Sequence, residues 1–216
     1  MQSSPSPGAQ QHAALFDAIG EEYDAFFPHK TGQLEANRWL IEQLDPGARV
    51  LDAGSGTGQP TAKVLAEAGL DVVGLDISAE MVRIAQRNVP RAHFEQGDLE
   101  TLKLPGRSFD AVTAFFSLLF LSRTRVEEIL GVFSQGLRPG GYLLVSLVEG
   151  DCDAVPVPFR SLAARWTAYP QAEFEGVLRR VGFEVLRSVA VDFEPPSAEL
   201  RPERQLFFYA RWPLQP

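Results

Sequence analysis

The run "VLDAGSGTGQPT", residues 50–61, constrains this chain more than its overall composition does. An apolar strand enters a carboxylate, Asp52. Three glycines follow within five residues (Gly54, Gly56 and Gly58), then Pro60, which suits the first position of a helix. A strand that turns through glycines into a helix is the opening unit of an α/β sheet.

The rest of the chain repeats that rhythm. Short apolar runs stand at "RVLDA", "DVVGLD", "AHFEQGD", "FDAVTAFF" and "YLLVSLV", with helical stretches between them. Pro60 opens "PTAKVLAEAG", which Gly69 ends. Ser78 caps "AEMVRIAQRNV", where Met81, Ile84, Ala85 and Val89 share one face and Pro90 stops the helix. In "SRTRVEEILGVFSQGL", Val126, Ile129, Leu130, Phe133 and Leu137 recur at helical spacing, and "RPGG" reads as a turn into the next strand. Such alternation predicts a parallel, doubly wound sheet. After the helix "AEFEGVLRRVG", the link "PPSAELRP" is too short for a helical crossover, so the last two strands are expected to pair antiparallel. Upstream, "AALFDAIGEEYDAFF" and "GQLEANRWLIEQL" read as two amphipathic helices. Residues 1–12 read as a disordered tail, and 13–216 as one domain.

In an open α/β sheet a ligand sits at the carboxyl ends of the strands, where the glycine turn lies. The chemistry argues against phosphate. No lysine and hydroxyl pair follows the glycines, as a triphosphate loop requires. Gln59 and Thr61 stand where a dinucleotide loop would place its third glycine. Asp52 would repel a pyrophosphate, and Pro60 lacks the N–H that a helix start would offer it. The fitting partner is neutral or cationic, and S-adenosylmethionine, with its sulfonium and ammonium, is such a ligand. Asp76 ends the second strand, where a ribose acceptor would stand; Ile77 and Met81 follow it. Asp98 closes the third. Each acid alone reads rather as a brace or cap, but three at successive strand ends around one glycine turn read as a site.

In order, "LDAGSGTG", "GLDIS", "GDLE", "FDAV" and "LRPGG" resemble the motif series of class I S-adenosylmethionine-dependent methyltransferases, over roughly residues 13–212. The resemblance implies a Rossmann-like seven-stranded sheet of order 3-2-1-4-5-7-6 with the last strand antiparallel. It also implies roles. Gly54, Gly56 and Gly58 form the cofactor loop beside Asp52; Asp76 takes the ribose hydroxyls. Ile77 packs on adenine near Met81, and Asp98 with the Leu99 backbone reads the adenine edge. Phe115 and Phe116 lie by the methionine end, a place compatible with ordinary core packing. Segments before the first strand commonly close over the ligands in this family, so residues 13–46 are expected to act as a helical lid.

For the acceptor, "FFSLLFL" stands where amine-methylating members carry an N/D-P-P-Y motif. The segment 149–170 reads as an acceptor-side insertion, and "VPVPFRSLAARWTAY" within it suits a small organic molecule. His29 and Tyr23 are the candidate bases, with Glu149, Asp151 and Tyr169 as further candidates. The 28 acidic and 20 basic residues give a net charge of −8, a field that disfavours nucleic acid and anionic membranes. The basic run "LRRVGFEVLR" reads as a solvated face. One cysteine, Cys152, with no basic-then-apolar leader or long apolar run, suggests a reducing, cytoplasmic setting with no metal site. The alternative reading is a protein of the same fold that binds the cofactor without transferring methyl, as a cyclase-like enzyme or a regulatory module.

Overall fold

The computed structural model describes residues 7–28, 30–159, 162–194 and 202–214. In chain order the helices are α1 (Pro7–Ile19), α2 (Tyr23–Phe26), α3 (Thr31–Gln43), α4 (Thr61–Glu67), α5 (Ala79–Asn88), α6 (Arg123–Gly136) and α7 (Gln171–Val181). The strands are β1 (Arg49–Ala53), β2 (Asp71–Asp76), β3 (His93–Gln96), β4 (Phe109–Phe115), β5 (Leu137–Val148), β6 (Cys152–Phe159), β7 (Leu162–Ala168), β8 (Glu184–Phe193) and β9 (Glu203–Arg211).

Seven strands form one sheet in the order β3-β2-β1-β4-β5-β9-β8, and β9 runs antiparallel to both neighbours. This is the expected 3-2-1-4-5-7-6 order once the β6–β7 hairpin, a separate antiparallel pair, is set aside. The central strands β1 and β4 are buried along nearly their whole length, as parallel strands covered on both faces require. The edge strand β3 buries only Phe94.

Helices cover both faces. On one, Val126, Ile129, Leu130 and Phe133 of α6, followed by Leu137, join Phe174 and Leu178 of α7. Each such side chain contributes about 1.5–3 kcal/mol by leaving water. On the other face, Leu40 of α3, Leu65 of α4 and Ala85 of α5 close over Val50, Val72 and Phe207. Ser78 caps α5 by accepting from Met81 N at 3.0 Å, and Gly69, at φ +85°, follows the end of α4.

Four expectations are corrected. Residues 7–12 belong to α1 rather than to a tail. Ala9, His12, Leu15 and Ile19 are buried along it, a periodicity that the polar composition hides. The stretch read as one helix after Ala13 breaks at Gly20, φ +47°, into a short 3-10 turn and α2. The lid expected over 13–46 cannot include α3. Leu40 is fully buried, and a Cβ added at Gly32 would lie 2.3 Å from the Phe207 ring, so α3 is core. "RPGG" is no separate turn: it lies inside β5 as an irregularity, between the pairs Phe109–Leu137 and Ala111–Tyr142, with Gly140 N donating to Trp212 O at 2.9 Å. Among the described residues, no helix is long and apolar enough to cross a membrane.

Candidate functional site

The glycine turn is clamped from beneath. Gly54 N and Ser55 N both donate to Leu75 O, at 2.7 and 3.0 Å, fixing the end of β1 to β2. The three glycines meet different needs. Gly54 sits at φ +87°, and a Cβ there would lie 2.3 Å from Ser117 Cβ, which is held in place as Ser117 Oγ donates to Ala53 O at 2.6 Å. At Gly58 an added Cβ would press on Val89, Phe94 and Ala85, so that glycine admits α5 and β3. Gly56 alone opens upward, with Tyr23 Cε1 3.7 Å from the place its Cβ would occupy.

Carboxylates converge on the turn. Asp76 accepts from Gly56 N at 2.8 Å with one oxygen and from Ser78 N at 2.9 Å with the other. Burial pushes its pKa up to about 6 against the pull of those two N–H groups. Asp52 is buried, accepts from Thr113 Oγ1 at 2.8 Å, and is pushed up to about 7 by burial, with the Asp76 charge adding to it. Asp98 stands two residues beyond β3 and caps a 3-10 turn, accepting from Glu100 N at 2.8 Å. Its second oxygen is buried with no hydrogen-bond partner among the described residues. An acceptor left over in this way fits an amine donor.

The remaining expected residues divide. Ile77 is half-buried, its carbonyl accepting from Gln96 Nε2 at 3.1 Å, and Leu99 is half-buried against the main core. Met81 packs with Leu15 and Ile19 beneath α1. Phe115 is core: its ring lies 6.2 Å from that of Phe207, beneath α3. Phe116, at φ +55°, faces the same ring edge-on at 5.8 Å. Asp151 is drawn to Arg123 at 2.7 Å, and Tyr169 lies under that guanidinium against Phe174. Glu149 pairs with Arg204 at 3.6 Å. Arg123 and Tyr169 also line a surface cleft of about 440 Å³ that shares no residue with the glycine turn.

A roof covers the turn. Leu15, Ile19, Phe16, Tyr23 and Phe26 from the N-terminal segment meet Phe120 and, from the hairpin, Val157 and Ala164. Asp17 accepts from Ser78 Oγ at 2.5 Å and from Glu80 N at 3.2 Å; Asp24 accepts from Thr57 Oγ1 at 2.8 Å. His12 is buried beside Phe120, and its Nε2 accepts from Arg165 N at 3.3 Å, tying α1 to the hairpin. Burial and Arg165 lower its pKa, so it rests neutral. Tyr23 is driven the other way, by burial and then by Asp76, Asp24 and Asp52, which leaves its hydroxyl a donor rather than a base. His29 lies outside the described residues. Sequence reading missed His12, Asp17, Asp24, Thr57 and Ser117. Only His12 left a signal, its spacing to Leu15 and Ile19.

Residues 50–141 match the methyltransferase-domain family. A demethylmenaquinone methyltransferase of Renibacterium salmoninarum is 36% identical over 141 residues, covering 62% of this chain and 57% of that protein. The chain spans little more than half the length of such curated relatives. Among solved structures, the [4+2]-cyclase SpnF superposes with TM-score 0.75 at 21% identity, covering 99% of this chain and 100% of that one. The 1,6-didemethyltoxoflavin-N1-methyltransferase of Burkholderia thailandensis gives 0.71 at 24%, covering 97% and 92%. The fold is the Rossmann-like α/β fold that these solved structures share. Residues 50–141 belong to the methyltransferase-domain family, structural relatives of the chain include S-adenosylhomocysteine complexes, and S-adenosylmethionine is the cofactor.

Proposed function

We propose that the protein transfers a methyl group from S-adenosylmethionine to a small organic acceptor held between the glycine turn and the roof. The observation that carries this reading is the set of carboxylates around Gly56: Asp52 and Asp76, both with raised pKa, and Asp98 with an oxygen unspent. Buried acids without compensating cations are costly, and a cationic ligand relieves them.

The residues fit the cofactor as follows. Asp76 accepts the ribose hydroxyls, Asp98 Oδ2 accepts the adenine amine, and Ile77 and Leu99 supply apolar surface to the ring. Gly56 lets backbone approach the amino-acid end, with Asp52 below it. Met81 and Phe115 support these groups from the core. When bound, the cofactor supplies an electrophilic methyl on its sulfonium. The protein's part is alignment and exclusion of water, which the apolar roof of Phe16, Tyr23, Phe26 and Phe120 performs. Those rings, the hairpin and the net charge of −8 together favour a small apolar acceptor over nucleic acid.

The test has two stages. S-adenosylhomocysteine at a hundredfold excess over its dissociation constant is expected to stabilise the fold by ~2.7 kcal/mol, roughly 5–11 °C in Tm, with NAD and ATP far weaker. Incubation with S-adenosylmethionine and a panel of phenols, quinols and amines is then followed by mass spectrometry for methylated product and S-adenosylhomocysteine. An equal shift with NAD overturns the cofactor. Product formed while the cofactor stays intact overturns methyl transfer in favour of a non-methylating reaction.

A further inference from the structure

The cofactor carries a carboxylate at its amino-acid end, and the groups around Gly56 are acids: Asp52, Asp76 and Asp24. A carboxylate placed there needs a cation. Among the described residues, Lys30 is a basic side chain that the structure brings to this seam. Its side chain is only 15% exposed, and its ammonium lies 5.0 Å from the centroid of the Tyr23 ring, the ring that faces Gly56. Its ion-pair partner is Asp24 Oδ1 at 3.7 Å, too long for a good hydrogen bond, while Asp24 spends its other oxygen on Thr57 of the glycine turn. An ammonium has three donors, and Asp24 is its ion-pair partner among the described residues, which leaves capacity for another acceptor. Burial lowers its pKa and Asp24 raises it, which marks a cation held by one loose partner in a poorly solvated place.

We propose that Lys30 is the cationic subsite of the cofactor pocket, which takes the ligand's α-carboxylate and exchanges its loose contact with Asp24 for that bond. The inference rests on the cofactor reading above and adds a residue to it. The backbone supports such a role. Lys30 O accepts from Leu34 N at 2.9 Å at the start of α3, so the residue is anchored to the core while its side chain reaches the roof. Lys30 is thus fixed through α3. It also explains why the Oδ1 of half-exposed Asp24 is buried on the seam with no hydrogen bond among the described residues: in the ligand-free protein it is the placeholder for the ligand's own carboxylate.

Calorimetric titration of wild type, Lys30→Met and Lys30→Arg tests this, with two probes. S-adenosylhomocysteine has the carboxylate; 5′-methylthioadenosine keeps the nucleoside and sulfur but lacks the amino-acid end. Lys30→Met is expected to weaken S-adenosylhomocysteine about ten- to a hundredfold, as loss of a charged hydrogen bond does, and to leave 5′-methylthioadenosine within about twofold. Lys30→Arg should retain most of the preference for the carboxylate-bearing probe. An equal loss for both probes would assign Lys30 to general support of the roof and overturn the subsite, as would no loss for either. Should Lys30→Met not fold, a Lys30→Arg protein that binds both probes as tightly as each other overturns it too. Failure of the wild type to bind S-adenosylhomocysteine at all would instead sink the cofactor reading.

Discussion

The glycine turn and the roof face each other across one seam but are held by different physics. The turn is backbone bonded to backbone: Gly54 and Ser55 donate to Leu75, and the space at Gly54 is closed by Ser117. The roof is held by side chains: Asp17 on Ser78, Asp24 on Thr57, His12 on the hairpin backbone, and a small apolar cluster around Met81. Its ion pairs, Glu21 with Arg83 and Arg87, are exposed on both partners and contribute little. The geometry of the turn is therefore built into the core. The covering over it is expected to open at a lower free energy than the turn.

The largest effect should come from breaking the rigid side. Gly54→Val places a branched side chain at φ +87° against Ser117 and should cost about 3 kcal/mol or more, read as a lower urea midpoint without ligand. Wild-type stability would mean that the turn is softer than its contacts imply.

Asp76→Ala acts on the seam itself. It should weaken S-adenosylhomocysteine about 10- to 150-fold while the protein stays folded. Unchanged affinity in calorimetry would remove Asp76 from the site.

Hydrogen exchange sharpens the contrast directly. Amides of residues 7–28 should open at a free energy at least ~2 kcal/mol below those of β1 and β2, and gain protection when cofactor is added. Equal protection in the ligand-free protein would make the roof part of the core, as α3 already is.

A smaller effect is expected from pH. Asp52 and Asp76 have folded pKa values of about 7 and about 6, above their ordinary range, so the folded chain keeps protons that the unfolded chain has released. The stability they contribute is complete near pH 4 and is lost as pH rises through 6 to 7. Ligand-free Tm should therefore fall by a few degrees over that window. A cationic cofactor reverses the need for those protons, so its thermal shift should be larger at pH 8 than at pH 5. A shift larger at pH 5 would contradict the cationic reading.

Ser78→Ala should be smallest, about 1 kcal/mol, since it removes one helix cap and one tie to Asp17. If the roof amides then exchange no faster, the Asp17 bond contributes nothing to closure.

The elements that could be read in advance are those with a local cause. The cap and face of α5, with Ser78, Met81 and Ile84, and the face of α6, with Val126 and Phe133, follow from period and capping chemistry within about fifteen residues. The strand order followed from the motif series together with a link too short for a crossover. The irregular "RPGG" did not, because glycines that open a turn and glycines that admit a bulge look alike until β4, β5 and the C-terminal strand are paired. Nor did the division of labour among Gly54, Gly56 and Gly58, which depends on Ser117, Tyr23 and Val89, residues remote in sequence.

By itself the sequence determined the strand-turn-helix unit and the acids near the ends of the strands. These depend on side-chain chemistry at fixed short spacing. Only the tertiary structure decided that α1 begins at Pro7, that α3 is core, that Phe115 faces Phe207, and that Asp24, Tyr23 and Lys30 gather above Gly56. Each of those depends on a partner far along the chain, and burial, the force that selects such partners, has no sequence range of its own.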